Sequence, residues 1–156
     1  MQRKAIVIGC DNAAVDLKNI IIKLLKEKCL DYEDVGVTSS DDQTVYPMIA
    51  KQVCEKMIKS GYEKEGILIC GTGIGMCMTA NKFPGIFAAV CHDNFSAERS
   101  RLSNNGNLLC IGARVIGPEL AKKITAEWLE LSYIPGGNSQ PKVDAMQNID
   151  IGTRRA

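Results

Sequence analysis

Short apolar runs rich in β-branched residues alternate along this chain with stretches of helical periodicity. That alternation restricts the fold more than any other feature. Residues 4–9 read as a buried strand, because Ala5, Ile6, Val7 and Ile8 are continuous and apolar. Asp11 and Asn12 then stand where they can cap a helix over roughly 13–28, with Val15, Leu17, Ile21, Leu24 and Leu25 on its apolar face. A weak strand at about 31–35 precedes the polar loop Thr38–Thr44, and Pro47 opens a second helix that Ser60 and Gly61 close. Gly66–Cys70 is a second clear strand, and Gly71, Gly73 and Gly75 turn it into a third helix that ends near Lys82. Strands at 86–91 and 107–112, helices at 96–104 and 118–131, and a short final helix within 139–150 complete the pattern. Strands that alternate with helices predict an α/β fold: a three-layer αβα Rossmann-like domain with a five-stranded parallel sheet, in the order 2-1-3-4-5. One domain is expected over 1–150, with 151–156 left as a flexible C-terminal tail.

The 156 residues suffice for one buried core, and no repeat or linker divides them. Nineteen Lys plus Arg against 18 Asp plus Glu leave a net charge of +1, which carries no electrostatic signature of nucleic acid or a membrane surface. Aromatic residues are only 5% of the chain, too few for base-stacking platforms. The seven cysteines lie at 10, 29, 54, 70, 77, 91 and 110 with no C-x-x-C among them, so neither a zinc site nor a disulfide framework is expected. Met1 to Lys4 lead straight into the first apolar run, with no room for a secretory leader. Reduced thiols in a cytoplasmic protein are the expectation.

In a parallel sheet, ligands sit beyond the carboxyl ends of the strands where the strand order reverses, here between strands 1 and 3. The segments at those ends are Cys10–Asn12 and Cys70–Gly75. Three glycines in five residues let backbone N–H groups converge at a helix start, a place suited to an anion, and Cys70 there is expected to ionise more easily than a free thiol. The plain alternative is a tight turn behind a small buried residue. A nucleotide site is a second alternative, since Asp93 follows Gly73 by about the interval of a ribose-binding acid, although the spacing is G-x-G-x-G.

Cys70-Gly71-Thr72-Gly73-Ile74-Gly75-Met76 followed by Ala80-Asn81-Lys82 resembles the type B ribose-5-phosphate isomerases and the related galactose-6-phosphate isomerase subunits. Gly9-Cys10-Asp11, Tyr46-Pro47, Cys91-His92-Asp93, Asn104-Asn105, Gly112 to Gly117 and Gly136-Gly137 continue the likeness in order. It implies an aldose–ketose isomerase that moves one proton between C1 and C2 of an open-chain sugar phosphate, through a cis-enediolate, without metal or cofactor. By the same resemblance Cys70 is the base and Thr72 moves protons between the two oxygens. Asp11, Asn12, Tyr46, Gly71, Gly73, Gly75, Ser103, Asn104, Arg114, Asn138 and Lys142 fall at substrate-binding positions. The resemblance also implies a homodimer or a dimer of dimers with sites shared across the interface. Capping or turn duty is the plain alternative for Asp11 and Asn104.

The chain departs from the family at four of these positions. Asn12 and Ser103 stand where the family has His, Asn138 where it has Arg, and Lys142 where it has a second phosphate-binding Arg. Ser103 lacks a group that titrates near neutrality, so ring opening loses its acid–base catalyst. Lys142 offers a point charge where an Arg offers a planar fork. Arg101 and Arg114 remain as possible anion partners, and the one histidine, His92, reads as a strand-end residue with a satisfied ring. Three readings stay open: a ribose-5-phosphate isomerase with rerouted ring opening, an isomerase of another four- or six-carbon sugar phosphate, and a non-catalytic sugar-binding homologue.

Overall fold

The computed structural model describes residues 4–153. Its strands are β1 (Ala5–Cys10), β2 (Tyr32–Asp34), β3 (Lys64–Cys70), β4 (Ala88–Val90) and β5 (Leu108–Gly112). Its helices are α1 (Val15–Glu27), α2 (Tyr46–Lys59), α3 (Ile74–Ala80), α4 (Asn94–Leu102), α5 (Pro118–Glu130) and α6 (Gln140–Thr153). All strand pairs are parallel, as a βα alternation requires. α2 and α3 cover one face of the sheet, and α1, α4 and α5 the other. Both faces are therefore dry, which is why β1, β3 and β5 are buried almost end to end.

The α/β class and the parallel sheet match the expectation, but the strand order is β2-β1-β3-β5-β4, not 2-1-3-4-5. The reason lies in the two strands themselves. β5 carries Leu108, Leu109, Cys110 and Ile111, all buried, and so suits an interior slot. β4 is three small residues, all half-buried, and takes the edge. The side chain of Asn81 closes that edge as a strand would: its amide donates to the Ala88 carbonyl at 3.0 Å and its oxygen accepts from the Ala88 N–H at 2.8 Å. The reversal between β1 and β3 is unaffected.

Two local expectations also change. Asp11 and Asn12 do not cap α1, whose N-cap is Ala14 without a side-chain bond. Instead the Asp11 carboxylate accepts from the Ala13 N–H at 3.0 Å, an Asx turn that aims the loop across the sheet edge. The expected tail also shrinks, because α6 runs on to Thr153. Residues 154–156 lie outside the described part of the chain.

Arg101 is not an anion partner. Its guanidinium is buried, ion-paired with Glu65 at 2.9 Å, bonded to the Gly106 carbonyl at 2.7 Å and to the Leu131 carbonyl at 2.8 and 3.0 Å, and stacked 4.3 Å from the Trp128 ring. One side chain thus ties α4 to the start of β3, the entry to β5 and the end of α5. Arg101→Ala would leave Glu65 buried and unpaired, and should lower the unfolding free energy by about 3–5 kcal/mol in chemical denaturation. Arg101→Lys should recover only part of that loss, since an ammonium cannot serve all these acceptors at once.

Candidate active site

The ends of β1, β3 and β5 are laced together by backbone bonds. Asp11 N–H donates to the Ile69 carbonyl at 3.3 Å, Ala113 N–H to Cys70 at 2.8 Å, and Arg114 N–H to Gly71 at 3.0 Å. The approach is close enough to demand glycine on both sides. A Cβ on Gly112 would lie 2.6–2.8 Å from the Thr72 backbone. Gly73, the N-cap of α3, has φ +76° and leaves only 3.0 Å between an added Cβ and the Ile111 carbonyl carbon. Gly75 is needed for a different reason: the Tyr46 ring occupies the space its Cβ would take, at 2.5–2.8 Å.

Above this edge lies a cleft of about 430 Å3 lined by Asp11, Tyr46, Cys70, Gly71, Thr72, Ile74, Gly75, Met78 and Arg114. Cys70 is at its floor, only 4% exposed, and the Gly73 N–H points at its sulfur from 3.0 Å. Thr72 is exposed, and its hydroxyl accepts from the Ile74 N–H at 3.3 Å. The Arg114 side chain passes 3.5–3.6 Å from where a Gly71 Cβ would stand. Burial raises the Asp11 carboxyl above its ordinary value, and the Ala13 amide and the Arg114 charge oppose that rise. The cleft therefore holds a thiol with a donor on its sulfur, a hydroxyl, a carboxyl and a guanidinium. This set can abstract a proton and hold an oxyanion or a phosphate.

Of the expected site residues, Asp11, Tyr46, Cys70, Gly71, Thr72, Gly75 and Arg114 converge here, and Gly73 shapes the turn beneath them. Asn12 sits half-buried in the β1–α1 loop, outside the lining. Ser103, Asn104, Asn138 and Lys142 do not line the cleft of their own chain. Ser103 caps the C-terminus of α4, which runs antiparallel to the strands and so ends at the opposite edge of the sheet, and it accepts from Arg99 Nη1 at 3.1 Å. Asn104 donates to the Arg99 carbonyl at 3.3 Å, and Asn138 and Lys142 are exposed near the start of α6. Sequence reasoning missed Ile74 and Met78, the outward i, i+4 pair on α3, which are 54% and 65% exposed at the rim. Their signal was there: two large apolar residues on the side of α3 away from its buried Met76 and Ala80.

A family model described as ribose/galactose isomerase matches residues 6–146. The chain belongs to that family. It is 49% identical over 140 residues to the D-erythrulose-4-phosphate isomerase of Pectobacterium atrosepticum, covering 90% of this chain and 91% of that one. It is 47% identical to the ribose-5-P isomerase B of Listeria innocua, covering 96% and 99%. Among solved structures, the ribose-5-phosphate isomerase B of Mycoplasma genitalium with bound ribulose-5-phosphate superposes with a TM-score of 0.88 at 34% identity, covering 94% of this chain and 96% of that one. This chain is thus a sugar-phosphate isomerase of the aldose–ketose type, and the nucleotide-site alternative falls away.

The isomerase's single histidine is held beside the cleft floor. His92 Nε2 accepts from the Gly112 N–H at 2.9 Å, so that nitrogen carries no proton, and burial lowers the ring's proton affinity below the ordinary 6.5. A ring that is harder to protonate when folded stabilises the protein fully above pH 6.5. That contribution is lost as pH falls through the lowered native value, because the unfolded chain takes up the proton first. His92→Gln should therefore flatten the stability profile between pH 7 and about 5 relative to the unsubstituted chain, as measured by thermal unfolding.

Proposed function

We propose that this isomerase interconverts ribose 5-phosphate and ribulose 5-phosphate, with Cys70 as the base that carries one proton between C2 and C1. The observation that carries the reading is the Cys70 sulfur at the floor of the cleft, with the Gly73 N–H on it at 3.0 Å. Cys70 takes the proton next to the carbonyl of the open-chain sugar and returns it to the neighbouring carbon. Charge passes meanwhile to the enediolate oxygens, where Arg114 and the backbone around Gly71 and Gly75 face them. Thr72 moves the hydroxyl proton between O1 and O2. Asp11 orients the sugar hydroxyls, and Tyr46 walls the cleft against Gly75.

The working unit is a homodimer, or a dimer of such dimers. Two observations support it: four expected binding residues lie away from the cleft of their own chain, and large apolar side chains are exposed both in the cleft lining, at Ile74 and Met78, and on either side of Tyr46 in the chain, at Val45 and Met48. Ser103, Asn104, Asn138 and Lys142 of the partner subunit then complete each site, the last supplying charge for the phosphate. None of the described helices is long and apolar enough to cross a membrane, and all seven thiols are free. Both features suit a cytoplasmic enzyme.

A four-carbon substrate, the erythrulose 4-phosphate and erythrose 4-phosphate pair, is the second reading. It is favoured by Ser103 and by the Pectobacterium relative. Ribose 5-phosphate exists mostly as a furanose that must open before its C2 proton can leave. A tetrose 4-phosphate has its O4 esterified and closes no furanose, so it needs no imidazole at position 103.

Cys70→Ala should abolish isomerisation and, with it, solvent deuterium incorporation at the exchanging carbon, both followed by NMR. Cys70→Ser should be nearly as poor, because a hydroxyl is hardly ionised at neutral pH. Full turnover in Cys70→Ala would end the mechanism. Ser103→His should raise kcat/KM for ribose 5-phosphate by roughly 10²–10⁴-fold, the usual contribution of general acid–base help. It should do far less for erythrose 4-phosphate. A native enzyme that turns over the four-carbon pair well and the pentose pair hardly at all selects the second reading.

A further inference from the structure

β4 ends before β5 does, and beyond its end a side chain stands in for a strand. The Cys91 N–H still donates to the Cys110 carbonyl at 3.1 Å, continuing the ladder that pairs Val90 with Cys110. One step further, the Gly112 N–H donates to His92 Nε2 at 2.9 Å. The backbone that carries the ring is held on its far side too, where the Asp93 carboxylate caps α4 by accepting from the Ser96 N–H at 2.7 Å. Gly112 is the residue through which β5 reaches the cleft. It pairs in register with Cys70, and a Cβ on it would meet the Thr72 backbone. Its carbonyl accepts from the Val115 and Ile116 N–H groups at 3.0 and 3.3 Å, in the turn that carries Arg114. His92 is not among the residues that line the cleft, so its effect on turnover passes through Gly112.

We propose that His92 is a positioning residue for the isomerisation: its unprotonated Nε2 holds Gly112, and with it the Cys70–Gly75 turn and Arg114, so that protonation of the ring slows turnover. The proposal rests on the reading of Cys70 as the base. An imidazole nitrogen accepts a hydrogen bond only while it carries no proton. Once the half-buried ring takes a proton from solvent, N–H faces N–H. The bond is lost, and the buried Gly112 donor is left without its acceptor. Gly112 cannot relax toward the turn, because its backbone is already packed against Thr72 there. The displacement falls instead on the next two bonds along the chain, from Ala113 N–H to Cys70 and from Arg114 N–H to Gly71, at 2.8 and 3.0 Å. Those bonds set the base and the guanidinium relative to each other.

The surroundings of the ring keep its accepting form at neutral pH. Burial lowers its proton affinity below the ordinary 6.5, and the Asp93 charge, a smaller effect, raises it. On the elements about the ring, the other titratable or charged groups are Cys91 at the end of β4, Cys110 on β5, Arg114 just beyond it, Cys70 at the end of β3, Cys77 on α3, and Glu127 of α5, which is bonded to the Asn94 side chain. Burial pushes Cys91 up to about 11 and Cys110 well above the ordinary thiol value, so both keep their protons as the solution turns acid. Arg114 keeps its charge throughout. Cys70, Cys77 and the substrate phosphate, whose second proton titrates near pH 6 as a rough rule, are common to the native protein and any His92 variant. A comparison between those two isolates the ring.

The test uses the intact protein, with ribose 5-phosphate and erythrose 4-phosphate as substrates and circular dichroism to confirm the fold at each pH. His92→Leu removes the acceptor and at neutral pH should lower kcat by roughly 10–10²-fold, as a misplacement approaching 1 Å can, while KM changes less. His92→Gln offers a carbonyl oxygen to the Gly112 N–H but no proton-taking ring, and should recover most of that kcat. As pH falls, the native kcat divided by that of His92→Gln should drop in step with the protonated fraction of His92 and return when pH is raised. The chain has one histidine, so its imidazole NMR signal reports that fraction directly. The Gly112 amide resonance should titrate with it in the native protein and stay fixed in His92→Gln. A kcat ratio that is flat across the ring's titration overturns the proposal, as does a Gly112 amide that ignores it. A ring still neutral at the onset of acid unfolding overturns the acid dependence. Turnover in His92→Leu within about twofold of native overturns the positioning role, and if that variant does not fold, the ratio and the amide decide the matter. Turnover retained in Cys70→Ala removes the reading of the base alone, and the amide titration and the kcat ratio still judge His92.

Discussion

The cleft depends on one close contact, the packing of the β3–α3 turn against the end of β5. Two backbones approach so nearly there that Gly73 and Gly112 have no room for side chains. The ladder bonds from Ala113 to Cys70 and from Arg114 to Gly71 clamp the approach from the β5 side. Much of the surrounding geometry is a consequence. The clamp sets where Cys70 ends its strand, aims the Gly73 N–H at the sulfur, and carries Arg114 over the turn. His92 belongs to the same construction, because its ring nitrogen takes the Gly112 N–H and so supports the clamp from beneath.

Charge is divided between frame and cleft in a way the residue types alone do not reveal. Arg101 with Glu65, and Lys18 with Asp34 and the Val37 carbonyl, are sunk into the packing with their bonds satisfied. Ions so enclosed cannot also bind a ligand without leaving a partner stranded. Arg114 is the guanidinium left in the cleft, with Asp11 close enough to feel its charge. The thiols divide likewise. Burial pushes Cys10 and Cys54 up to about 12 and makes them inert packing, while half-buried Cys77 accepts from Asn81 Nδ2 at 3.5 Å.

Much of this was legible in the chain before any coordinates. The continuous apolar runs and the helical patterns located the five strands and six helices of the described residues, with errors of a few residues at their ends. The glycine string after Cys70 marked the site because tight turns and close backbone approach need glycine wherever they occur. The order of the last two strands was not legible, since periodicity reports which residues are buried but not beside which strand. The small size of β4 and the Asn81 amide on its edge decided that order.

The sequence alone determined the α/β class, the parallel sheet, the reversal between the first and third strands and the candidate base, because local pattern and a long specific motif suffice for each. Only the tertiary structure decided which of the charged and polar candidates share a cleft. Arg101 and Arg114 look alike as residues thirteen positions apart, yet one lies under Trp128 and the other over Gly71. Ser103 and Asn104 follow the strand-4 helix as a site loop might, yet the antiparallel run of α4 carries them to the far edge of the sheet. Those distinctions arise from long-range packing, where contacts join residues far apart in the chain and no local pattern records them.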